Sequence, residues 1–364
     1  MQKKLIALAV ASLVSAPVFA QSQVTVYGTF DGGIRHVDNT NGAGNSKTTM
    51  NSSGTYNSNR WGFKGVEDMG NGLKATFNLE GGFMTGTGEG SISGGLFGRK
   101  QIVGLAGNWG ALDLGRNYNT MFYTQAAYDP FNYKYTGIIP IATLDGARDN
   151  NMVTYTSNSM NGLVIRGDYS LGEVAGSSSQ GSKTQIGASY ANGPFNLGAA
   201  FGTGKSVPTA ATAAGFAFST TTGLAVPVAA VAAGPSLTTK QWTLGGGYNF
   251  GAFDLKAGYY DRKTDIATGG EAEQKTAWFG GRYALSGANA LSAAYYHTKY
   301  QNPVAALEGK NKLAIIGFVH NLSKRTELYA DIDHRGLDGS QILKTGTDSK
   351  TGVTGISVGI NHAF

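Results

Sequence analysis

In the last ten residues, GISVGINHAF, Ile356, Val358, Ile360 and Phe364 share one phase, which also takes in His362. Ser357, Gly359, Asn361 and Ala363, small or polar, fill the other phase. The same two-residue period recurs upstream. Val24, Val26, Phe30 and Ile34 oppose Thr25, Thr29, Asp31 and Arg35. Leu73, Ala75, Phe77, Leu79 and Phe83 oppose Lys74, Thr76, Asn78 and Glu80. Apolar positions between Leu163 and Leu171 alternate with Arg166 and Asp168, those between Phe253 and Tyr259 with Asp254 and Lys256. Trp242, Leu244, Tyr248 and Phe250 alternate with Gln241, Thr243 and Asn249, and Leu328, Ala330 and Ile332 with Glu327, Asp331 and Asp333. Segments of about ten residues with this dyad pattern predict an all-β chain, a transmembrane β-barrel.

The connectors give the strand number. Seven short turns rich in Gly, Asn, Ser or Pro begin near residues 67, 107, 157, 191, 249, 286 and 321. Eight longer polar or glycine-rich stretches separate them, near 36–58, 86–97, 117–150, 172–182, 203–239, 263–274, 300–310 and 336–352. Fifteen connectors join sixteen antiparallel strands, with the long loops outside the cell and both termini on the periplasmic side. Lipid supplies no hydrogen bonds to a strand edge, so such a sheet must close on itself. Sixteen strands enclose a water-filled lumen. A charge on the lipid face costs roughly 2–4 kcal/mol at mid-bilayer, so Lys74, Glu80, Arg166, Asp168, Lys256 and Arg282 are expected on the inner phase. KQIVGLA and KLAIIGFVH are apolar in both phases. Either their register is misread or the second face is buried against a neighbouring subunit.

Composition supports export. Residues 1–20 read as a signal peptide: Lys3 and Lys4, an apolar stretch from Leu5 to Val14, then small residues to Ala20. Residues 21–364 then form one barrel domain. Without Lys3 and Lys4 the chain carries 27 basic and 23 acidic residues, too small an excess to argue for nucleic acid as a partner. There is no cysteine. The five histidines, His36, His297, His320, His334 and His362, have no metal-ligand spacing. DIDHRG at 331–336 reads as a charged rim, and GTGEGS and LGGGYNF complete no phosphate-binding loop. No metal, cofactor or catalytic group is expected.

Loop 117–150 is long and aromatic, and nearly free of glycine before Gly137. Such a loop is expected to pack on something, and the lumen is available. Arg60, Lys64, Lys74 and Arg99 or Lys100 lie on consecutive strands about 4.8 Å apart and are expected to form one basic wall. The segment 216–235, uncharged and rich in Ala and Val, has no clear role beyond covering a mouth or touching a neighbour.

The chain resembles the general porins of Gram-negative outer membranes, particularly the β-proteobacterial type. VTVYGTFDGGI, NRWGFKGVEDMGNGLKATFNLEGGF at 59–83, DLGRNY at 113–118, VTYTS at 153–157 and the terminal Phe364 carry the resemblance. It implies an outer-membrane homotrimer, each sixteen-stranded subunit holding its own pore, in contact with outer-membrane lipid and lipopolysaccharide. The third long loop would fold into the lumen. Passive diffusion of small hydrophilic solutes and ions would follow. The alternative is a substrate-specific channel for small organic anions. The resemblance places Arg60 and Arg99 at the constriction, and Arg116 is grouped with them. Phe364 would be read by the barrel-assembly machinery, or would simply be the last lipid-facing residue. The acidic PEFGG-type loop tip of enteric relatives is replaced by DPFNYKY. That leaves Asp129 and Asp145 to face the basic wall, with Lys134 and Arg148 adding positive charge; Asp129 could equally cap a turn before Pro130. A mild preference for anions is the expectation.

Overall fold

The computed structural model describes residues 23–50, 55–92, 95–144, 146–208, 215–218, 225–228 and 234–364. The signal-peptide reading and Asp145 lie outside them, as does most of 216–235. Of that segment, Gly215–Phe218 and Ala225–Val228 pair as a short hairpin.

Sixteen long strands are present among the described residues: β1 (Gln23–Val37), β2 (Arg60–Gly70), β3 (Leu73–Gly82), β4 (Lys100–Gly107), β5 (Gly110–Tyr118), β6 (Arg148–Thr156), β7 (Leu163–Ser170), β8 (Lys183–Asn192), β9 (Phe195–Lys205), β10 (Thr238–Phe250), β11 (Phe253–Asp265), β12 (Glu271–Ala284), β13 (Asn289–Gln301), β14 (Gly309–Asn321), β15 (Thr326–Gly339) and β16 (Gly352–Ala363). Each pairs antiparallel with the next. β16 returns to β1 with Gly32 opposite Ile360, which closes the barrel. Short turns and long loops alternate around it. The turn between β2 and β3 has positive φ at Asn71 (52°) and Gly72 (77°), the Asn-Gly chemistry that matches the twist of a two-residue hairpin.

The seam shows what the chain end does. The backbone N–H of Phe364 donates to the Gly28 carbonyl at 3.1 Å, and the Gly28 N–H donates back to the Phe364 carbonyl at 3.1 Å. A Cβ at position 28 would lie 2.2 Å from Cζ of the Phe364 ring, so glycine there makes room for the terminal ring. Phe364 completes the ladder rather than trailing from it.

Alternation sorts the outer face cleanly. Val24, Val26, Phe201, Trp242, Leu255, Phe279, Ile316, Ile332 and Val358 are exposed there, as an apolar belt against hydrocarbon requires. No helix among the described residues is long and apolar enough to cross a membrane.

The inner face divides in two. After β5 the chain caps α1 (Thr120–Ala127) with Asn119, whose Oδ1 accepts from the Phe122 N–H at 2.8 Å. Wall side chains take the next free amides of that first turn: Asp168 Oδ2 accepts from Thr120 N–H (2.7 Å) and Gln185 Oε1 from Met121 N–H (2.7 Å). This satisfies helix-end donors that would otherwise be stranded. The loop then crosses the lumen and packs on the inner wall of β9–β15. Met121, Phe131, Tyr135, Ile138, Ile139, Ile141 and Leu144 form one buried cluster with Tyr260, Trp278, Tyr296, Leu313, Ile315 and Tyr329. Glycines in the wall receive the rings: a Cβ at Gly245 would stand 2.6 Å from Tyr128, and one at Gly317 2.7 Å from Tyr135. LGGGYNF therefore serves packing.

This resolves the two doubly apolar strands. In β14, Leu313 and Ile315 face inward under the loop, while Ile316 and Phe318 face outward. Neither a misread register nor a neighbouring subunit is needed; the second apolar face is covered by the chain's own loop. In β4, Ile102 is buried on the inner phase and Val103 and Leu105 are exposed on the outer one.

Candidate functional site

Opposite the loop-covered wall, the inner face around β2–β7 is polar. Arg60 opens β2 and donates through Nη1 to Asn57 Oδ1 and the Ser58 carbonyl, both at 3.1 Å. Arg99 lies one residue before β4 and points inward, its Nε donating to Glu80 Oε1 at 2.8 Å and its Nη2 to the Tyr118 hydroxyl at 2.9 Å. Strand parity would have turned Arg99 outward with Val103 and Leu105. Standing outside the ladder, it escapes that constraint.

Tyr118 organises the group. Its hydroxyl also accepts from Arg148 Nη2, and the Arg148 guanidinium lies 4.1 Å from the ring centroid. Arg166 donates to the Tyr118 carbonyl (2.8 Å) and to Thr156 Oγ1 (3.0 Å), and stacks 4.2 Å from the Tyr123 centroid. Planar guanidinium groups stack on aromatic faces in this way while keeping donors free at their edges. Glu80 is the acid bonded within this set. It pairs with Arg99, lies 3.9 Å from Arg60 Nε, and accepts from the Tyr27 hydroxyl at 3.1 Å. Glu80 thus pairs with two of the four arginines, Asp113 and Asp168 act on Arg166 without a salt bridge, and the wall keeps an excess of positive charge.

The other expected residues fall at several depths. Lys64 faces the lumen with Nζ 5.4 Å from the Tyr27 centroid. Lys74 shares the inner phase but sits at the turn, six residues from Glu80, about 20 Å at the rise of a strand. It belongs to the periplasmic rim and not to the narrow zone. Arg116 is a correction. It has the outward parity of Leu112 and Leu114, its Nε donates to the Gly98 carbonyl (2.6 Å) and its Nη1 to Asn150 Oδ1 (2.5 Å). It lines an outer concavity with Phe77, Val103 and Leu114.

Asp129 does not face the basic wall. Its side chain is fully buried, and Oδ2 accepts from the N–H groups of Phe131 (3.2 Å) and Tyr133 (2.8 Å). Oδ1 accepts from the Tyr296 hydroxyl at 2.5 Å. Desolvation pushes its pKa up to about 6 against the pull of these hydrogen bonds. The turn-capping role is the one the geometry displays, and the acidic loop face is missing there. Lys134 lies over the Tyr56 ring, 4.7 Å from its centroid, with Nζ 3.7 Å from Glu327 Oε1. Burial lowers its pKa and Glu327 opposes that shift. Sequence reasoning had not singled out Tyr118 or Tyr123, and had read Arg166 only as an inner-phase charge. The alternation in LVIRGDYS marks Arg166 as inward, but nothing in the sequence brings it to Tyr118.

A closed sixteen-stranded barrel with a folded-in loop beside a charged, polar wall defines a diffusion channel of the outer membrane. A model of the Gram-negative porin family matches residues 7–340. Outer membrane porin protein 32 of Delftia acidovorans is 31% identical over 390 residues, spanning 100% of both chains. An outer membrane porin protein of Bordetella pertussis is 28% identical over 413 residues, again spanning both. Among solved structures, the anion-selective porin from Comamonas acidovorans superposes with a TM-score of 0.74 at 27% identity, covering 94% of this chain and 100% of that one. The chain belongs to the Gram-negative porin family and is an outer-membrane β-barrel.

Proposed function

We propose that the channel passes small hydrophilic solutes and ions with a preference for anions. The observation that carries this reading is the grouping of Arg99, Arg148 and Arg166 about Tyr118, with Arg60 alongside Arg99 at Glu80. The Asp129 carboxylate, the loop acid nearest to hand, is spent on a turn and on Tyr296. Lining charges set selectivity in such pores. Lys64 and Lys134 extend the positive field along the lumen; Lys74 would act at the periplasmic mouth. The anion selectivity of the Comamonas structure supports the same reading. Reversal potentials across a planar bilayer in a salt gradient test it: a potential of the sign set by anions is expected, and cation selectivity would refute it.

The working unit of this reading is a homotrimer, as in the trimer form of a Vibrio cholerae outer membrane protein of the same fold, and conductance steps in threes are the expected signature. Phe364, ending the closing strand, would be the residue the barrel-assembly machinery reads. The outer face would contact outer-membrane lipid, including lipopolysaccharide. Residues 1–20 would be removed on export. The reading is passage without catalysis. The tyrosine rings against Arg148 and Arg166 favour, within it, organic anions that carry an aromatic group.

A further inference from the structure

Beneath the third loop, the inner wall near the short turns holds an arginine without an acid partner among the described residues. Arg282 lies two residues from the end of β12, half-buried, on the inner phase of Thr276 and Trp278. A cavity of about 130 Å³ between loop and wall is lined by Arg282, Ser292, Asn132 and Lys134 on its polar edge. That is the room of about four waters. The neighbouring cations have their own acids: Lys134 lies 3.7 Å from Glu327, and Lys256, which donates to Asn132 Oδ1, lies 3.9 Å from Asp254. Asp254 stands opposite Arg282 in register, yet no ion pair or hydrogen bond to the guanidinium forms among the described residues. Ser292 faces Arg282 from β13, and its hydroxyl has no hydrogen bond among the described residues either.

The loop is held in an unusual shape to reach this cavity. Asn132, Tyr133 and Tyr135 have φ of 53°, 59° and 55°. Non-glycine residues persist in that left-handed region only where their surroundings over-determine it, and they gather at ligand clamps. With Oδ1 of Asn132 taken by Lys256, its Nδ2 is left as a donor. Tyr56, Phe131 and Val319 form the apolar side of the hollow.

These groups select a ligand class. One arginine without an acid calls for one negative charge, and a planar guanidinium can hold a carboxylate through two parallel bonds. The rings and Val319 suit a short hydrocarbon tail, from which inorganic phosphate would gain nothing. We propose that the hollow binds a short-chain monocarboxylate, and that the bound anion pins the third loop to the wall. The carboxylate takes Arg282 and Ser292 from the wall and Asn132 from the loop, with its tail against Tyr56, Phe131 and Val319. A ligand that binds the docked loop and not the free one stabilises docking by mass action. The hollow lies on β12–β14, across the lumen from the arginines about Tyr118. The site rests on the porin reading and adds to it a ligand class and a control on the loop.

The test uses the mature protein in detergent and butyrate as the probe. Titration calorimetry reads binding, and hydrogen exchange at the amides of residues 132–135 reads the loop. Butyrate should bind saturably and slow that exchange. Butyramide, its neutral counterpart, should do neither, and inorganic phosphate should not displace butyrate. Arg282→Gln should weaken butyrate about tenfold or more and abolish the slowing. Ser292→Val keeps every cation and narrows the hollow; it should weaken butyrate as well, and it serves if Arg282→Gln does not assemble. Arg148→Gln, which alters the group at Tyr118, should leave the slowing in place. Equal slowing in Arg282→Gln, Ser292→Val and wild type overturns the proposal, as does slowing lost in Arg148→Gln alone, which would put the anion on the other wall. Displacement by phosphate overturns the ligand class, and butyrate bound without slower exchange overturns the pinning. Conductance in planar bilayers is read separately. Its absence in wild type would strike the porin reading whatever butyrate does, which keeps the two failures distinct.

Discussion

The two halves of the lumen are built from the same alternating strands and do opposite things. Around β2–β7 the inward positions carry Arg60, Lys64, Glu80, Arg148 and Arg166, wet and charged. Around β11–β15 they carry Tyr260, Trp278, Tyr296, Leu313, Ile315 and Tyr329, and the third loop covers them. An inward position in a barrel is thus not automatically polar. Its character depends on whether it meets water or a loop. Apolar burial on one side presses the loop into place, and the free side is left to meet the solute.

The most direct way to break this division is to undock the loop. Tyr135 is packed edge-on against Tyr56 and Phe131, with centroids at 5.0 and 5.1 Å, and its N–H donates to the Tyr56 carbonyl at 2.6 Å. Removing a buried aromatic side chain costs about 3–5 kcal/mol. Tyr135→Ala should release the loop from the wall while the barrel ladder persists. Single-channel conductance should rise, and protease should cut within 128–144. Unchanged conductance in a variant that still migrates as a folded barrel would show that the aromatic half does not hold the loop in the pore.

Acidity probes the same docking more gently. The pKa of Asp129 is raised to about 6 in the folded loop by desolvation, against about 3.9 for a free aspartate. The folded state therefore binds the proton more tightly than the undocked loop. Its contribution to docking is complete below about pH 4 and is lost as pH rises through about 6, a span worth on the order of 3 kcal/mol. Hydrogen exchange at the Phe131 and Tyr133 amides should accordingly quicken between pH 4 and 7, beyond the intrinsic rate. Asp129→Asn should flatten that dependence. The turn should hold in this variant, since the amide, like the protonated acid, can accept from the backbone pair through its oxygen while its N–H donates to the Tyr296 hydroxyl. A pH-independent wild type would remove Asp129 from this role.

These two regions also differ in how far the sequence revealed them. The period of two announced sixteen strands, the loop alternation and the inner phase of Lys64 and Arg166, because a charge on the lipid face is so costly. It could not tell lipid from loop as the cover for an apolar residue, so KLAIIGFVH stayed ambiguous until Leu313 and Ile315 were seen beneath the loop. Periodicity is also silent just outside a strand, which is where Arg99 finds Glu80 and Tyr118. Asp129 was legible as an acid in the loop, but its direction was not. That depends on Tyr296, 167 residues away.

Charge removal on the wet side should have a smaller effect, read in selectivity and not in stability. Arg148 presents its guanidinium to the lumen through Tyr118. One unit charge at 4 Å from a passing ion contributes about 1 kcal/mol in water, about a fivefold change in a permeability ratio. Arg148→Gln should lower the anion-to-cation ratio by about that factor in reversal-potential measurements. Tyr118→Phe, which keeps the ring and removes the shared acceptor, should shift it less. A ratio that does not move on loss of Arg148 would leave the arginine grouping without a part in selectivity.

The smallest effect sharpens the comparison most. Arg116 belongs to the same DLGRNY stretch as Tyr118, two residues from it, so motif reasoning groups it with the pore. It keeps the outward phase of Leu112 and Leu114 and bonds the Gly98 carbonyl and Asn150, while the register shift between Gly115 and Asn117 turns Tyr118, of the same parity, to the inner side. The sheet lies between its guanidinium and the permeating ion. Arg116→Gln should therefore leave the reversal potential where it is, with a modest loss of heat stability from the two lost hydrogen bonds, each worth about 1 kcal/mol or somewhat more. A shift as large as that of Arg148→Gln would mean that face, and not merely charge, has been misjudged for this strand. No shift would establish that one residue of phase, not proximity in sequence, decides which arginines a passing anion meets.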